Sequence, residues 1–279
     1  MGTRSAFPPR DCPSGTSIEG HLDAPGGSVP TLQRDVRRLY KDLAWTWPIV
    51  SPPEEYAEEA RQFWDFLQAA ASIDVKTVLH LGCGAGHVDS HLKRYARITG
   101  VDLSPAMLRL ARRLNPEVTY RRGDMRSVQL GRTFDGALIS DAVGYMLTPP
   151  DLTRAFATAY RHLRPGGAFV TYAENVKGKV ETNSTKAIRG RKGEVEVVFV
   201  ENLFDPDPGD TTIEATFIYL IRRRGRLFIE TDRHLLGLFP AATWRQALRA
   251  AKFTLNHAGP HPTAPKGDDV PWFVGHKPG

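Results

Sequence analysis

The sequence predicts an α/β protein: a doubly wound, mostly parallel seven-stranded sheet with an N-terminal helical cap and an antiparallel three-strand insertion. Three observations predict it. Short apolar runs alternate with amphipathic stretches between residues 77 and 173, as a parallel sheet with crossover helices requires. The first of these runs enters a turn holding Gly82, Gly84 and Gly86. Three longer runs between residues 194 and 236 are joined by linkers too short for crossovers, so they pair antiparallel.

Each element follows in chain order. Residues 1–30 contain Pro8, Pro9, Pro13, Pro25, Gly26, Gly27 and Pro30 and little apolar surface to offset ordering entropy; they read as a disordered tail. The rest, 31–279, reads as a single domain. In the cap, 31–75, Val36, Leu39, Tyr40 and Leu43 recur at helical spacing. After Ser51-Pro52-Pro53 a second helix runs from Glu54 to Ala71, with an acidic first turn behind prolines. The core, 76–175, has strands at Thr77–Leu81, Ile98–Asp102, Thr119–Arg122, Gly136–Ser140 and Ala168–Ala173. Its helices are His87–Tyr95, Pro105–Asn115 and Leu152–Leu163. Residues 176–240 hold the insertion. Its first part, 177–192, has six Lys or Arg against one Glu and reads as a mobile surface loop. Strands at Glu194–Phe204, Thr211–Arg222 and Arg226–Leu236 follow, with Arg222-Arg223-Arg224 at a hairpin tip. A helix at Ala242–Ala251 and strands at Thr254–Ala258 and Trp272–Gly275 close the domain over 241–279.

Composition narrows the function. With 41% hydrophobic and 24% charged residues, the 279-residue chain has the makeup of a globular protein. No window approaches the roughly 18 apolar residues of a spanning helix, so no membrane association is expected. Two cysteines, Cys12 and Cys83, make neither a disulfide framework nor a zinc cluster, so no metal is expected and a reducing, cytoplasmic setting fits. The net charge of +6 admits an anionic or phosphorylated partner, but its spread and the lack of an RNA-binding module make nucleic acid unlikely as one.

The chemistry concentrates where strand 77–81 meets the glycine turn. Glycines there let the backbone approach a ligand, and the amides opening the next helix favour a negative group. The spacing is GxGxG rather than the GxGxxG of dinucleotide folds, which argues against a nicotinamide oxidoreductase. Asp102 ends the second strand, where a carboxylate can accept from ribose hydroxyls.

LHLGCGAG, GVDLSPAMLRLAR, RRGDMRSV, FDGALISDAVGYM and HLRPGGAFV occur in this order, and the series resembles class I S-adenosylmethionine-dependent methyltransferases with a Rossmann-like sheet. The resemblance implies S-adenosylmethionine as cofactor, leaving as S-adenosylhomocysteine. It implies that Gly82, Cys83, Gly84 and Gly86 line the methionine moiety, Asp102 the ribose and Leu103 the adenine. Asp124 would accept from the adenine amino group and Met125 would donate its backbone amide, with Ser140 nearby. Tyr40 and Tyr56 fall in the region that covers the cofactor in the enzymes this chain resembles. His80 stands where the family usually has Asp or Glu, and a purely structural role for it is the alternative. The helical cap, SDAVGYM and the insertion are similar to small-molecule methyltransferases of amino sugars or glycine-type amines.

Tyr145 and then Asp141 are the candidates to orient a nucleophile, because segment 140–146 follows the fourth core strand at the ligand-binding edge of the sheet. A packed tyrosine and a loop-capping aspartate are the alternatives. His234 is a third catalytic candidate, as a base near neutral pH. With Glu201, Asn202 and Phe239 it falls in or beside the meander, within reach of a pocket mouth. The expected reaction is methyl transfer to a small molecule, at an amine nitrogen before an oxygen. Methylation of RNA or protein, and a non-catalytic cofactor-binding role, are the competing readings. The meander offers a surface for a homodimer.

Overall fold

A computed structural model of the chain describes residues 35–262 and 270–279. The tail expected over 1–30 lies outside them. The main sheet has seven strands in the order β10-β11-β5-β4-β1-β2-β3. These are β1 (Thr77–Leu81), β2 (Arg97–Asp102), β3 (Thr119–Arg122), β4 (Phe134–Ile139), β5 (Leu163–Tyr172), β10 (Thr254–Gly259) and β11 (Trp272–His276). The first five run parallel; β11 pairs antiparallel to both β5 and β10. The chain steps outward from β1 to β3 and returns to place β4 against the other side of β1. The switch point of the topology therefore lies between β1 and β4, where an open α/β sheet leaves a crevice beyond its strand ends.

Strands β1 and β4 are buried along their whole length, as strands covered on both faces must be. Leu79, Leu81, Ala137 and Ile139 face one apolar layer, while Val78 and Leu138 face the other. The Asp135 carboxylate ties the two strands together at their start. It accepts from the amides of Lys76 and Thr77 at 3.1 and 2.9 Å and from the Thr77 hydroxyl at 2.8 Å.

The helices are α1 (Trp47–Val50), α2 (Ala57–Ala70), α3 (His87–Leu92), α4 (Pro105–Leu114), α5 (Pro149–Arg161) and α6 (Ala241–Ala250). Two of them start by the same device. Ser104 and Thr148 accept from the amides of Met107 and Asp151 at 3.1 and 3.2 Å, with proline at the first helical position. No helix of the described residues is long and apolar enough to cross a membrane.

A second, antiparallel sheet has the order β6-β7-β8-β9, formed by β6 (Ser184–Lys192), β7 (Val195–Phe204), β8 (Thr212–Arg223) and β9 (Arg226–Gly237). It corrects the sequence reading, which gave three strands and a loop over 177–192. Residues 184–192 pair with 195–203 in continuous register. Their charged side chains point to water from an edge strand, a placement that high charge suits. The first cap helix is a second correction. Residues 38–50 make 3₁₀ turns at Arg38–Tyr40 and Ala44–Thr46 and the single-turn α1. Leu39 and Leu43 still bury, but against Val197, Phe199 and Phe217 of the antiparallel sheet, and that packing overrides the helical pattern.

Candidate active site

The loops after β1, β2 and β4 surround a cavity of about 530 Å³ at the switch point. Its floor is shaped by backbone. The amides of Gly82 and Cys83 both donate to the Val101 carbonyl, at 2.7 and 3.0 Å, which turns the chain back over β2. Gly84 lies at φ +51°, and a Cβ added there would meet nothing within 4 Å, so its face is open to a ligand. Gly86 differs from the sequence expectation. Its φ is +74°, but a Cβ there would stand 2.5 Å from the Tyr120 hydroxyl and 2.8 Å from Asn115 Nδ2. Gly86 is a packing glycine that caps α3 and does not line the cavity.

Asp102 lines the cavity while its two oxygens accept the amides of Gly84 at 2.9 Å and Ser104 at 2.7 Å. Burial pushes its carboxyl up from the ordinary value, against those hydrogen bonds. Leu103 beside it is 53% exposed, an apolar platform in the cavity wall. Asp124 and Met125 also line the cavity. The oxygens of Asp124 are already engaged by Arg126, through its backbone amide at 2.8 Å and its guanidinium at 2.6 Å. That fork holds the Asp124 carboxyl below its usual range and leaves little capacity for the adenine contact expected of it.

His80 lines the cavity as expected, but it is almost wholly buried and both of its ring nitrogens are engaged. Its Nδ1 lies 2.7 Å from Asp89 Oδ1 and its Nε2 3.2 Å from the Ser140 hydroxyl. Asp89 in turn accepts from the Tyr120 hydroxyl at 2.9 Å, and Tyr120 from Asn115 at 3.0 Å. This chain of polar groups ties the starts of α3 and β3 to the ends of β1 and β4 beneath the cavity. His87 is a wall residue the sequence reading did not single out. Burial pulls it down to about 4, so it stays neutral, and its Nδ1 has no partner.

Tyr40, Tyr56, Asp141 and Tyr145 close the cavity from above. Tyr145 is half-buried, and its hydroxyl meets His234 Nδ1 at 2.6 Å. His234 Nε2 meets Asp232 Oδ2 at 2.7 Å, and the same oxygen accepts the Leu39 amide at 2.7 Å. Burial alone would raise the Asp232 carboxyl, but the hydrogen bonds from His234 and the backbone hold it below the usual range. An ionised Asp232 accepts the proton on Nε2, so in the neutral ring Nδ1 accepts from Tyr145. Burial, first of all, keeps the Tyr145 phenol far above its ordinary value, so the hydroxyl is retained at neutral pH. His234 therefore departs from its expected place. It is wholly buried and does not line the cavity, but stands behind Tyr145 with the Tyr40 ring stacked on it at 5.6 Å. Asp232, the third member, escaped the sequence reading because nothing local marks it.

Of the other meander candidates, Asn202 bonds Asn183 and Thr185 within the sheet and Phe239 is buried in the core, so neither reaches the cavity. Glu201 lines a second chamber of about 320 Å³ roofed by the antiparallel sheet. Leu39, Tyr40, Trp47, Tyr56, Asp141 and Tyr145 belong to the walls of both. Asp141 there accepts from the Tyr172 hydroxyl, and burial raises its carboxyl.

A glycine turn open at Gly84, a carboxylate closing β2 and a crevice at the switch point are arranged as the resemblance to class I S-adenosylmethionine-dependent methyltransferases implies. Residues 78–167 match the family described as Methyltransferase domain. Over the core the chain resembles the amino-sugar members of that class. It is 34% identical over 119 residues to the Streptomyces venezuelae dTDP-3-amino-3,4,6-trideoxy-alpha-D-glucopyranose N,N-dimethyltransferase, covering 42% of this chain and 50% of that protein. The chain thus spans about half the length of this curated relative. In three dimensions it matches DesVI of Streptomyces venezuelae with a TM-score of 0.72 and 26% identity, over 88% of this chain and 100% of the other. It matches the SAM-bound CalS10, an amino pentose methyltransferase from Micromonospora echinaspora, with a TM-score of 0.68 and 24% identity, over 80% and 91%.

Proposed function

We propose that the protein transfers a methyl group from S-adenosylmethionine to the nitrogen of a small-molecule amine. One observation carries this reading: the nucleoside-sized cavity at the switch point adjoins a separate chamber through a shared wall containing Tyr145 and Asp141. The residues present suit the donor. Gly84 offers an open backbone face, Asp102 has lone pairs for ribose hydroxyls, Leu103 gives an apolar surface, and the volume lies in the range of ligand sites. Bound there, the donor supplies a methyl group on a sulfonium, already activated toward a nitrogen lone pair.

The chain's own residues then have to orient and shield. With Nε2 of His234 carrying the ring proton, Tyr145 gives its own proton to Nδ1, and its oxygen, which also meets the Tyr40 hydroxyl, keeps a lone pair to accept an N–H of the acceptor. His234 and Asp232 fix that direction from behind. Asp141 is a second acceptor within the shared wall. The ring of Tyr40, edge-on to Tyr145 at 5.4 Å, helps exclude water, and such positioning supplies most of what a preactivated methyl requires. The amino-sugar specificity of the relative supports an amine borne on a sugar ring. A phosphorylated or otherwise anionic tail on the acceptor would suit exposed Arg189, Arg191 and Lys192 on β6.

The outer face of the antiparallel sheet places Val198, Leu220 and Ile229 in one row and Val200 and Ile218 in the next, which supports pairing of two copies there. A cytoplasmic setting fits this biosynthetic role. The test is titration calorimetry with S-adenosylhomocysteine, followed by an amine screen that reads S-adenosylhomocysteine release. Heat of binding and turnover on amines are expected; no heat with either S-adenosyl compound would end the reading.

A further inference from the structure

Two acids and two arginines form a chain along one wall of the donor cavity. Asp124 follows β3, and Asp151 stands in the first turn of α5. Arg126 lies between them. Its Nε and Nη2 fork onto Asp124 at 3.0 and 2.6 Å, and its Nη1 reaches Asp151 Oδ1 at 3.2 Å. The same Asp151 oxygen accepts Arg154 Nη2 at 2.5 Å, and the other accepts the Thr148 hydroxyl at 3.2 Å. Asp124, Arg126 and Asp151 all line the cavity, whereas Arg154 stands outside it with its side chain 62% exposed. Asp151 is thus already neutralised from outside, and Arg126 is left to Asp124.

The backbone beneath both acids is fixed. The Asp124 carbonyl accepts the amides of Ser127 and Val128 at 3.0 and 2.8 Å, and Asp124 Oδ1 accepts the Arg126 amide at 2.8 Å. Thr148 caps α5 through the Asp151 amide. The Arg126 side chain is the movable part. Both of its ion pairs are partly solvated, so exchanging one for the other costs little.

An ionised carboxylate only accepts hydrogen bonds, and a guanidinium only donates them. Asp124 and Arg126 share the cavity wall with Leu103, the surface expected to hold the base of the donor. An aminopurine brings an N–H to this wall and needs Asp124 free. An oxopurine brings an oxygen, which suits Arg126 where it stands.

We infer that Arg126 is an exchangeable latch on Asp124 and sets how far the donor cavity distinguishes an aminopurine nucleoside from an oxopurine one. With Arg126 on Asp124 the wall presents a donor; with Arg126 drawn to Asp151 it presents an acceptor. Each base selects the arrangement it binds better, so the unaltered chain takes both. Arg126 is the specificity residue, and Arg154, acting on it through Asp151, is a positioning residue. The inference rests on the proposed placement of the donor.

S-adenosylhomocysteine and its oxopurine counterpart S-inosylhomocysteine are the probes, titrated calorimetrically into the full chain. Their affinities should lie within about tenfold of each other. Arg126→Met leaves Asp124 an unpaired acceptor. The preference for the adenosyl compound should then rise about tenfold, from tighter binding of that compound and weaker binding of the inosyl one. Arg154→Met should raise it about threefold, because Asp151 then draws Arg126 away from Asp124. Damaged folding would weaken both compounds together and leave their ratio alone. A preference above about tenfold in the unaltered chain, or one that either substitution fails to raise, would overturn the latch while leaving the donor placement standing. No heat with either compound in the unaltered chain would end the donor placement and the latch with it.

Discussion

The two cavities meet at one wall but are made in different ways. The donor cavity is shaped mainly by backbone: tight turns at Gly82 and Gly84, and amides that fix Asp102. The second chamber is shaped by side chains on alternate positions of β7, β8 and β9, with Phe199 and Glu201 beside Phe217. Backbone geometry is shared by any chain with the right glycines, whereas side chains on a sheet face can be exchanged without altering the ladder. Under the proposed methyl transfer, this difference lets one half keep a common ligand while the other sets what is modified.

The largest expected effect tests the donor side. Asp102→Ala removes the acceptor for ribose hydroxyls and for two amides, so S-adenosylhomocysteine affinity should fall about 100-fold. Calorimetry reads this directly, and an unchanged Kd would displace the nucleoside from β2. Next comes the contrast between two glycines of one turn. Gly86→Ala should lower folding stability by about 1–3 kcal/mol, since φ is +74° and the new methyl meets Tyr120 and Asn115. Its donor affinity should hold. Gly84→Ala should show the opposite bias, losing affinity more than stability, because its methyl enters the open cavity. If both behave alike, the assignment of Gly86 to packing fails.

The shared wall gives a smaller effect. Tyr145→Phe should lower kcat about tenfold with donor Kd unchanged, the worth of one orienting hydrogen bond. Asp232→Asn should follow in the same direction with a shifted pH profile, since it alters which proton His234 carries. A rate insensitive to both would remove the tyrosine from orientation of the acceptor.

The smallest effect belongs to the acid-rich chamber. Glu174 is raised to about 7, so the folded protein keeps this proton where the unfolded chain has already released it. Stability from this site is therefore fully present below the ordinary glutamate pKa and is lost as pH rises toward about 7. Glu174→Gln should raise the melting temperature at pH 8 by on the order of 1–2 °C and leave it unchanged near pH 4, a modest shift because solvent reaches this group. A gain equal at both pH values would show that its charge is not what matters.

What could be read in the sequence divides along the same line. The parallel core was legible because its signals are local: strand, glycine and acid lie within about one βαβ unit of one another. The helix start at Pro105 was legible in the same way, whereas the helix expected from Leu152 begins three residues earlier, at Pro149. The edge strand β6 was not, because its dense charge resembles a loop, and only pairing with 195–203 makes it a strand. The turns at 38–46 were not, because Leu39 and Leu43 satisfy a helical spacing while being held by the distant roof. In the site, Asp102, Gly84 and Tyr145 stood at motif positions. Asp232 did not, since the amide it accepts belongs to Leu39, 193 residues away. Glu174 acquires its character only from folding, which buries it beside Asp141 and Glu201.

One bridge has a consequence for descent. Val176, just past β5, pairs with Phe239, just before α6, so the whole roof leaves and rejoins the core at neighbouring points. Segment 177–238 can therefore be exchanged between homologous chains as a cassette, its two seams already stitched side by side. Recombination of one uninterrupted stretch of gene would then carry the roof together with the His234 and Asp232 that brace Tyr145, leaving the parallel sheet's own strand order intact.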